Sequence, residues 1–136
     1  MIAKDFQIGD WANLTYTKRN GTVVSKNFKI SQLRSPYKGQ PIDVWSEEGN
    51  MGHEDVSPIV LTPEILRANK WEYRFDGLWY YDFDNTVLGF ALNYNYYRKS
   101  WEVYCNLVYT EIRYVHELQH CIHQMGRDDL ADNIQI

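Results

Sequence analysis

Residues 71–109 read WEYRFDGLWYYDFDNTVLGFALNYNYYRKSWEVYCNLVY, and this stretch decides the fold. Aromatic and aliphatic residues alternate with polar ones in four segments, Trp71 to Phe75, Leu78 to Phe83, Thr86 to Tyr97 and Trp101 to Tyr109, which is the pattern of half-buried strands. Asp76-Gly77, Asp84-Asn85 and Arg98-Lys99-Ser100 stand between them, short polar connections of the kind that reverse a chain. An antiparallel meander is therefore predicted. Side chains alternate across a strand, so Trp79, Tyr81 and Phe83 share one face. Leu88, Phe90, Leu92, Tyr94 and Tyr96 form a second row, and Trp101, Val103, Cys105, Leu107 and Tyr109 a third. One end of the sheet is expected to be apolar and the other rich in tyrosine.

Upstream of this stretch lies a helix signal. Thr62 offers an oxygen to orphan backbone N–H groups, Pro63 suits the first helical position, Glu64 complements the positive helix end, and Ile65 and Leu66 begin an apolar side. A short helix from Pro63 to Arg67, ended by Asn69, follows. Further upstream, Phe6 to Tyr16 reads as an opening strand interrupted by the turn pair Gly9-Asp10, and Asn20-Gly21 marks a hairpin reversal before Val23-Val24. Phe28 and Ile30 alternate with polar neighbours, Pro36 and Gly39 punctuate the next connection, and Ile42 to Trp45 supplies another short strand. Glu47 to His53, with Gly49, Asn50 and Gly52, reads as a flexible turn. The first half is thus expected to be a small meander, approaching a partly closed barrel.

Downstream, a helix is predicted from Tyr114 to Met125, with Gly126 placed to end it in a left-handed conformation. Val115, Leu118, Ile122 and Met125 make one stripe, read as core. His116, His120, His123 and Arg127 make another, centred roughly 150° away, expected to face solvent, a cleft or a partner. The predicted class is α+β: a single domain, residues 1–136, of antiparallel β meanders with a short central helix and a C-terminal helix.

Composition narrows the function. A formal charge of −4 and a pI of about 5.5 supply no overall basic field for a phosphate backbone, which argues against general nucleic-acid binding. The segment from Met1 to Phe6 lacks the apolar run of a signal peptide, and no stretch approaches the roughly 20 apolar residues of a membrane-spanning helix. The expected location is the cytoplasm. Cys105 and Cys121 are too few for a disulfide framework and are expected to be small buried apolar groups. Eleven Tyr and five Trp suit sheet faces, and the same residues anchor interfaces and stack on planar groups.

Two constellations carry candidate chemistry. Tyr94, Tyr96, Arg98 and Trp101 surround one hairpin, where aromatic faces and a cation would hold a planar anionic ligand such as a nucleotide. The competing reading is an amphipathic strand surface. The second constellation, His116-Glu117-Leu118-Gln119-His120, matches H-E-x-x-H, in which two histidines one turn apart share zinc and the glutamate acts as base on a metal-bound water. A third ligand is needed. His123 lies about 10 Å along the axis from His116, so His53 or Asp128 would have to supply it. The competing readings are surface or interface histidines and a noncatalytic metal site.

Ile8-Gly9-Asp10-Trp11, then Pro58 to Leu66 with Asn69-Lys70-Trp71, and finally Ile112-Arg113-Tyr114-Val115-His116-Glu117-Leu118-Gln119-His120 resemble three blocks of a family of small proteins from gut Bacteroidales and their phages. That family has no agreed activity. Its late block can carry Gln for Glu and Asn for the second His, so the resemblance implies a structural role for Leu118 and Gln119 in docking the helix rather than a zinc centre. It also implies a phage-associated binding protein, an anti-defence factor that sequesters a nucleotide-like ligand or blocks a host protein, with self-association as a further partner expectation. The alternatives are a zinc hydrolase using His116, Glu117 and His120, and a phage structural or assembly protein.

Overall fold

The computed structural model describes residues 6–35, 38–81, 90–105 and 108–136, with only the backbone of Val108. The predicted reversal at Asp84-Asn85 and the row positions Phe83, Leu88 and Leu107 lie outside the described residues, as does Pro36. The chain forms two compact units, Met1–Ile59 and Val60–Ile136. Both contain antiparallel sheet, and the helices belong to the second, so the class is α+β.

In the first unit, β1 (Trp11–Thr17) pairs with β2 (Val23–Lys29) through the reversal around Asn20-Gly21, where Gly21 has a φ of 86° that glycine adopts without a Cβ clash. β3 (Gln32–Arg34), β4 (Asp43–Ser46) and β5 (Gly49–Gly52) form a second three-stranded sheet, and β6 (Val56–Ser57) pairs with β1. The stretch read as a flexible turn from Glu47 to His53 is thus mostly strand. Asn50 and His53 bond to Asp43 of the neighbouring strand, which ties β5 down. Phe6, Ala12, Phe28, Ile30, Val44 and Val56 are buried together at the centre of the unit.

In the second unit, α1 (Pro63–Ala68) begins as expected: the Thr62 hydroxyl accepts from Ile65 N–H, and Pro63 occupies the first turn. Its end is a Schellman motif. Trp71 N–H donates to Leu66 C=O at 3.0 Å and Lys70 N–H to Arg67 C=O at 3.1 Å, with Lys70 held at a φ of 69°. β7 (Glu72–Tyr73), β8 (Trp79–Tyr80), β9 (Ala91–Asn95), β10 (Ser100–Cys105) and β11 (Val108–Ile112) follow, arranged as the sheet β11-β10-β9-β8-β7.

The segment from Trp101 to Tyr109, read as one strand, is two. β10 and β11 form a hairpin in which Tyr104 opposes Tyr109, so Tyr109 leaves the row of Trp101, Val103 and Cys105. It joins Tyr104 instead, and both hydroxyls donate to the Glu102 carboxylate. Asn93 donates to the same group at 2.7 Å and leads the interactions that hold the carboxyl below its ordinary range. One face of the sheet is therefore polar. Phe90, Leu92, Trp101, Val103 and Ile112 are buried.

α2 (Val115–Gln124) ends at Gly126, which has a φ of 80°. Val115, Leu118 and Ile122 are buried, as the periodicity predicts. His116 is buried too, at 4% exposure, although its stripe was expected to face outward. The reason is local packing: its ring stacks on Tyr114, 5.9 Å away and tilted by 10°. A further short helix, α3 (Asp128–Asp132), follows, and Gln119 donates to Ala131 C=O across the pair. Among the described residues no helix is long and apolar enough to cross a membrane.

Candidate functional site

A cleft of about 450 Å³ opens in the second unit. It lies where the β7–β8 turn, the start of α1 and the β9–β10 hairpin come together. Trp101 forms its deepest part, 1% exposed, with its indole N–H donating to Leu61 C=O at 2.9 Å. That bond fixes the ring while satisfying its polar atom, which a buried indole requires. Leu61 is itself held by its N–H, which donates to Arg113 C=O at 3.0 Å.

From Trp101 the aromatic lining runs both ways. Tyr94 meets it at 5.0 Å between ring centroids and 65° between planes, and Tyr96 meets Tyr94 at 4.9 Å and 84°. On the other side, Trp79 lies 6.3 Å from Trp101 at 76°, and Tyr73 lies 5.3 Å from Trp79. Five rings thus touch in succession, three of the contacts edge against face, an arrangement favoured by their quadrupoles, and the Tyr73–Trp79 contact tilted at 58°. The outer two, Tyr73 and Tyr96, are exposed at the mouth, at 60% and 82%.

The cation at this cleft is Arg67. Its guanidinium lies 5.2 Å from the Trp79 ring centroid, within the range of a cation–π contact. Among the described residues no carboxylate lies within ion-pair distance of it. The β7–β8 turn opposite is braced: Asp76 accepts from Leu78 N–H and from the Tyr80 hydroxyl, and Arg74 covers the Tyr80 ring at 4.4 Å. The Tyr80 bond leads the interactions holding the Asp76 carboxyl below its ordinary value.

Of the four residues read from sequence as ligand-binding, Tyr94, Tyr96 and Trp101 line this cleft and Arg98 does not. Arg98 bonds Glu111 at 3.1 Å on the polar sheet face, a contact that raises its pKa further. Arg67, Tyr73 and Trp79 complete the lining in its place. Trp79 and Tyr73 gave a sequence signal, an alternating aromatic pattern beside Asp76-Gly77, whereas Arg67 gave none beyond its position one residue after buried Leu66. The chain matches no family model, no curated protein and no solved structure.

The helix constellation is placed differently. His116 and His120 do approach, with ring centroids 5.5 Å apart. Glu117, the base of the hydrolase alternative, turns its Oε1 back to accept from Tyr114 N–H at 3.0 Å and Arg113 N–H at 2.9 Å. It caps the helix at its third position. His123 contacts Asp128 at 2.7 Å and Asp132 at 3.3 Å, which ties α2 to α3, and His53 contacts Asp43 in the first unit. Among the described residues no three His, Cys, Asp or Glu side chains gather as a metal-ligand set.

Proposed function

We propose that the protein is a ligand-binding protein whose aromatic cleft takes a planar, anionic, nucleotide-like molecule. What carries the reading is the convergence of Trp79, Tyr94 and Trp101 with Arg67 in one cleft. A base or other flat ring stacks on the aromatic faces, where each stacked base contributes roughly 1–3 kcal/mol. Arg67, unpaired with a carboxylate among the described residues, offers planar bidentate donors to a phosphate. A cationic ligand is disfavoured, because it would compete with Arg67 for the face of Trp79.

Binding without turnover suits a phage-associated factor that removes a signalling nucleotide from a host defence. The support for that biological setting is the sequence resemblance, and the support for the ligand class is the cleft. A host protein would use the same exposed Tyr73 and Tyr96 at its mouth.

The test is a calorimetric and thermal-shift screen of mononucleotides and cyclic dinucleotides, followed by substitution. Tyr94→Ala and Arg67→Ala are each expected to weaken a hit about tenfold or more. Arg98→Ala should leave it unchanged. Absence of any hit at millimolar ligand, or a hit that survives both cleft substitutions and disappears with His120→Ala, would sink the proposal.

A further inference from the structure

A second cavity, of about 260 Å³, lies elsewhere in the Val60–Ile136 unit, and three sulfur-bearing residues line it: Cys105 at the end of β10, Cys121 on α2, and Met125 at the C-cap just past the end of that helix. Cys105 Sγ stands 3.7 Å from Met125 Sδ. Both cysteines are free thiols of intermediate exposure rather than the buried apolar groups expected from sequence. Phe90 and Val103 form the buried apolar floor.

We propose that Cys105, Cys121 and Met125 form a three-sulfur site for a soft monovalent cation of the copper(I) or silver(I) class. Thiolate and thioether donors select such ions, whereas carboxylate and carbonyl oxygens suit hard cations. The spacing fits. With metal–sulfur bonds of roughly 2.3 Å, as for zinc thiolates, two ligands of a three-coordinate ion stand about 4 Å apart. Cys121 in the last turn of α2 and Met125 at its C-cap both line the cavity, and Cys105 meets Met125 from the sheet. Zinc is the poorer fit, since its structural sites use four Cys or His ligands and no such set gathers among the described residues. Binding replaces the two thiol protons, which pass to solvent, and no electron is transferred.

The test uses the full-length reduced protein under anaerobic conditions, with copper(I) supplied as its bis-bicinchoninate complex. Withdrawal of one equivalent is expected, with a native mass spectrum showing one copper per chain. Cys105→Ser and Cys121→Ser should each weaken capture at least a hundredfold and the volume-conserving Met125→Leu at least tenfold, while His120→Ala should have no effect. As a measurement independent of variant folding, silver(I) should protect both thiols of the unaltered protein from iodoacetamide, read by peptide mass. Capture no better than that of Cys105→Ser, indifference to Met125→Leu, dependence on His120, or alkylation unaffected by silver would each overturn the assignment.

Discussion

Lys70 has a φ of 69° at the residue that ends the α1 Schellman motif, where a side chain meets its own carbonyl and glycine does not. Lys70→Gly is therefore expected to raise stability by about 1 kcal/mol, visible as a higher denaturant midpoint with unchanged slope; a fall would show that the Lys70 side chain makes a contact worth more than the strain. Leu118 and His120 offer a contrast on α2. Leu118 is 2% exposed, and truncation to alanine should cost about 2–5 kcal/mol. His120 is only partly buried, so His120→Ala should cost clearly less, and the reverse order in urea denaturation would restore a central role to the histidine. Cys121 sets an alkaline dependence. Burial, with help from Glu117 and Cys105, pushes its thiol from 9.0 up to about 11. Between those values the unfolded chain loses this proton while the folded chain keeps it, so stability is full below about pH 9 and falls as pH rises toward 11, on the order of 3 kcal/mol in total. Tyr80, Tyr104 and Tyr109, also raised, add to the same limb. The difference between the unaltered protein and Cys121→Ala isolates the thiol, and identical alkaline limbs would refute the assignment. At this scale Thr62, Pro63 and Gly126 were legible because each acts through its own backbone. Arg67 was not, since nothing in its neighbours says which ring it will cover.

Among the elements, α2 depends on how it starts. Glu117 accepts from two backbone N–H groups ahead of the helix, so Glu117→Ala should cost about 1 kcal/mol. Glu117→Gln, whose side-chain carbonyl still accepts, should cost much less. Thermal unfolding of the pair decides the matter: equal losses would mean that the charge, not the cap, matters. The β10–β11 reversal escaped sequence reading because apolar residues continue at alternate positions straight through Val103, Cys105, Leu107 and Tyr109. With no break in the period, only Asn106 hints at a turn. β5 escaped for the opposite reason, since Gly49, Asn50 and Gly52 are poor strand formers and become a strand through pairing with β4. α3 has no helical stripe at all. Its five residues are positioned by His123 and Gln119 of the preceding helix.

For the molecule as a whole, occupancy of the cleft and stability are linked. A nucleotide-like ligand at a hundred times its Kd is expected to stabilise the folded protein by about 2.7 kcal/mol. Calorimetry should show the full shift in the unaltered protein and about half of it or less in Arg67→Ala at the same ligand concentration, with the ligand-free melting points of the two close together. An equal shift in both would place the ligand elsewhere. The α+β class, the hairpin around Asn20-Gly21, the β7–β8 turn at Asp76-Gly77 and both ends of the two principal helices follow from the sequence alone. Each depends on backbone preferences and apolar periodicity within a few residues, which neighbouring residues suffice to specify. Only the tertiary structure decided that Tyr94, Tyr96 and Trp101 join Trp79, Tyr73 and Arg67, that Arg98 turns to Glu111, and that His116 goes inside. These outcomes depend on strand register and on contacts between distant segments, such as the bond from Trp101 to Leu61 forty residues earlier. No local pattern encodes which of two faces such a contact will claim.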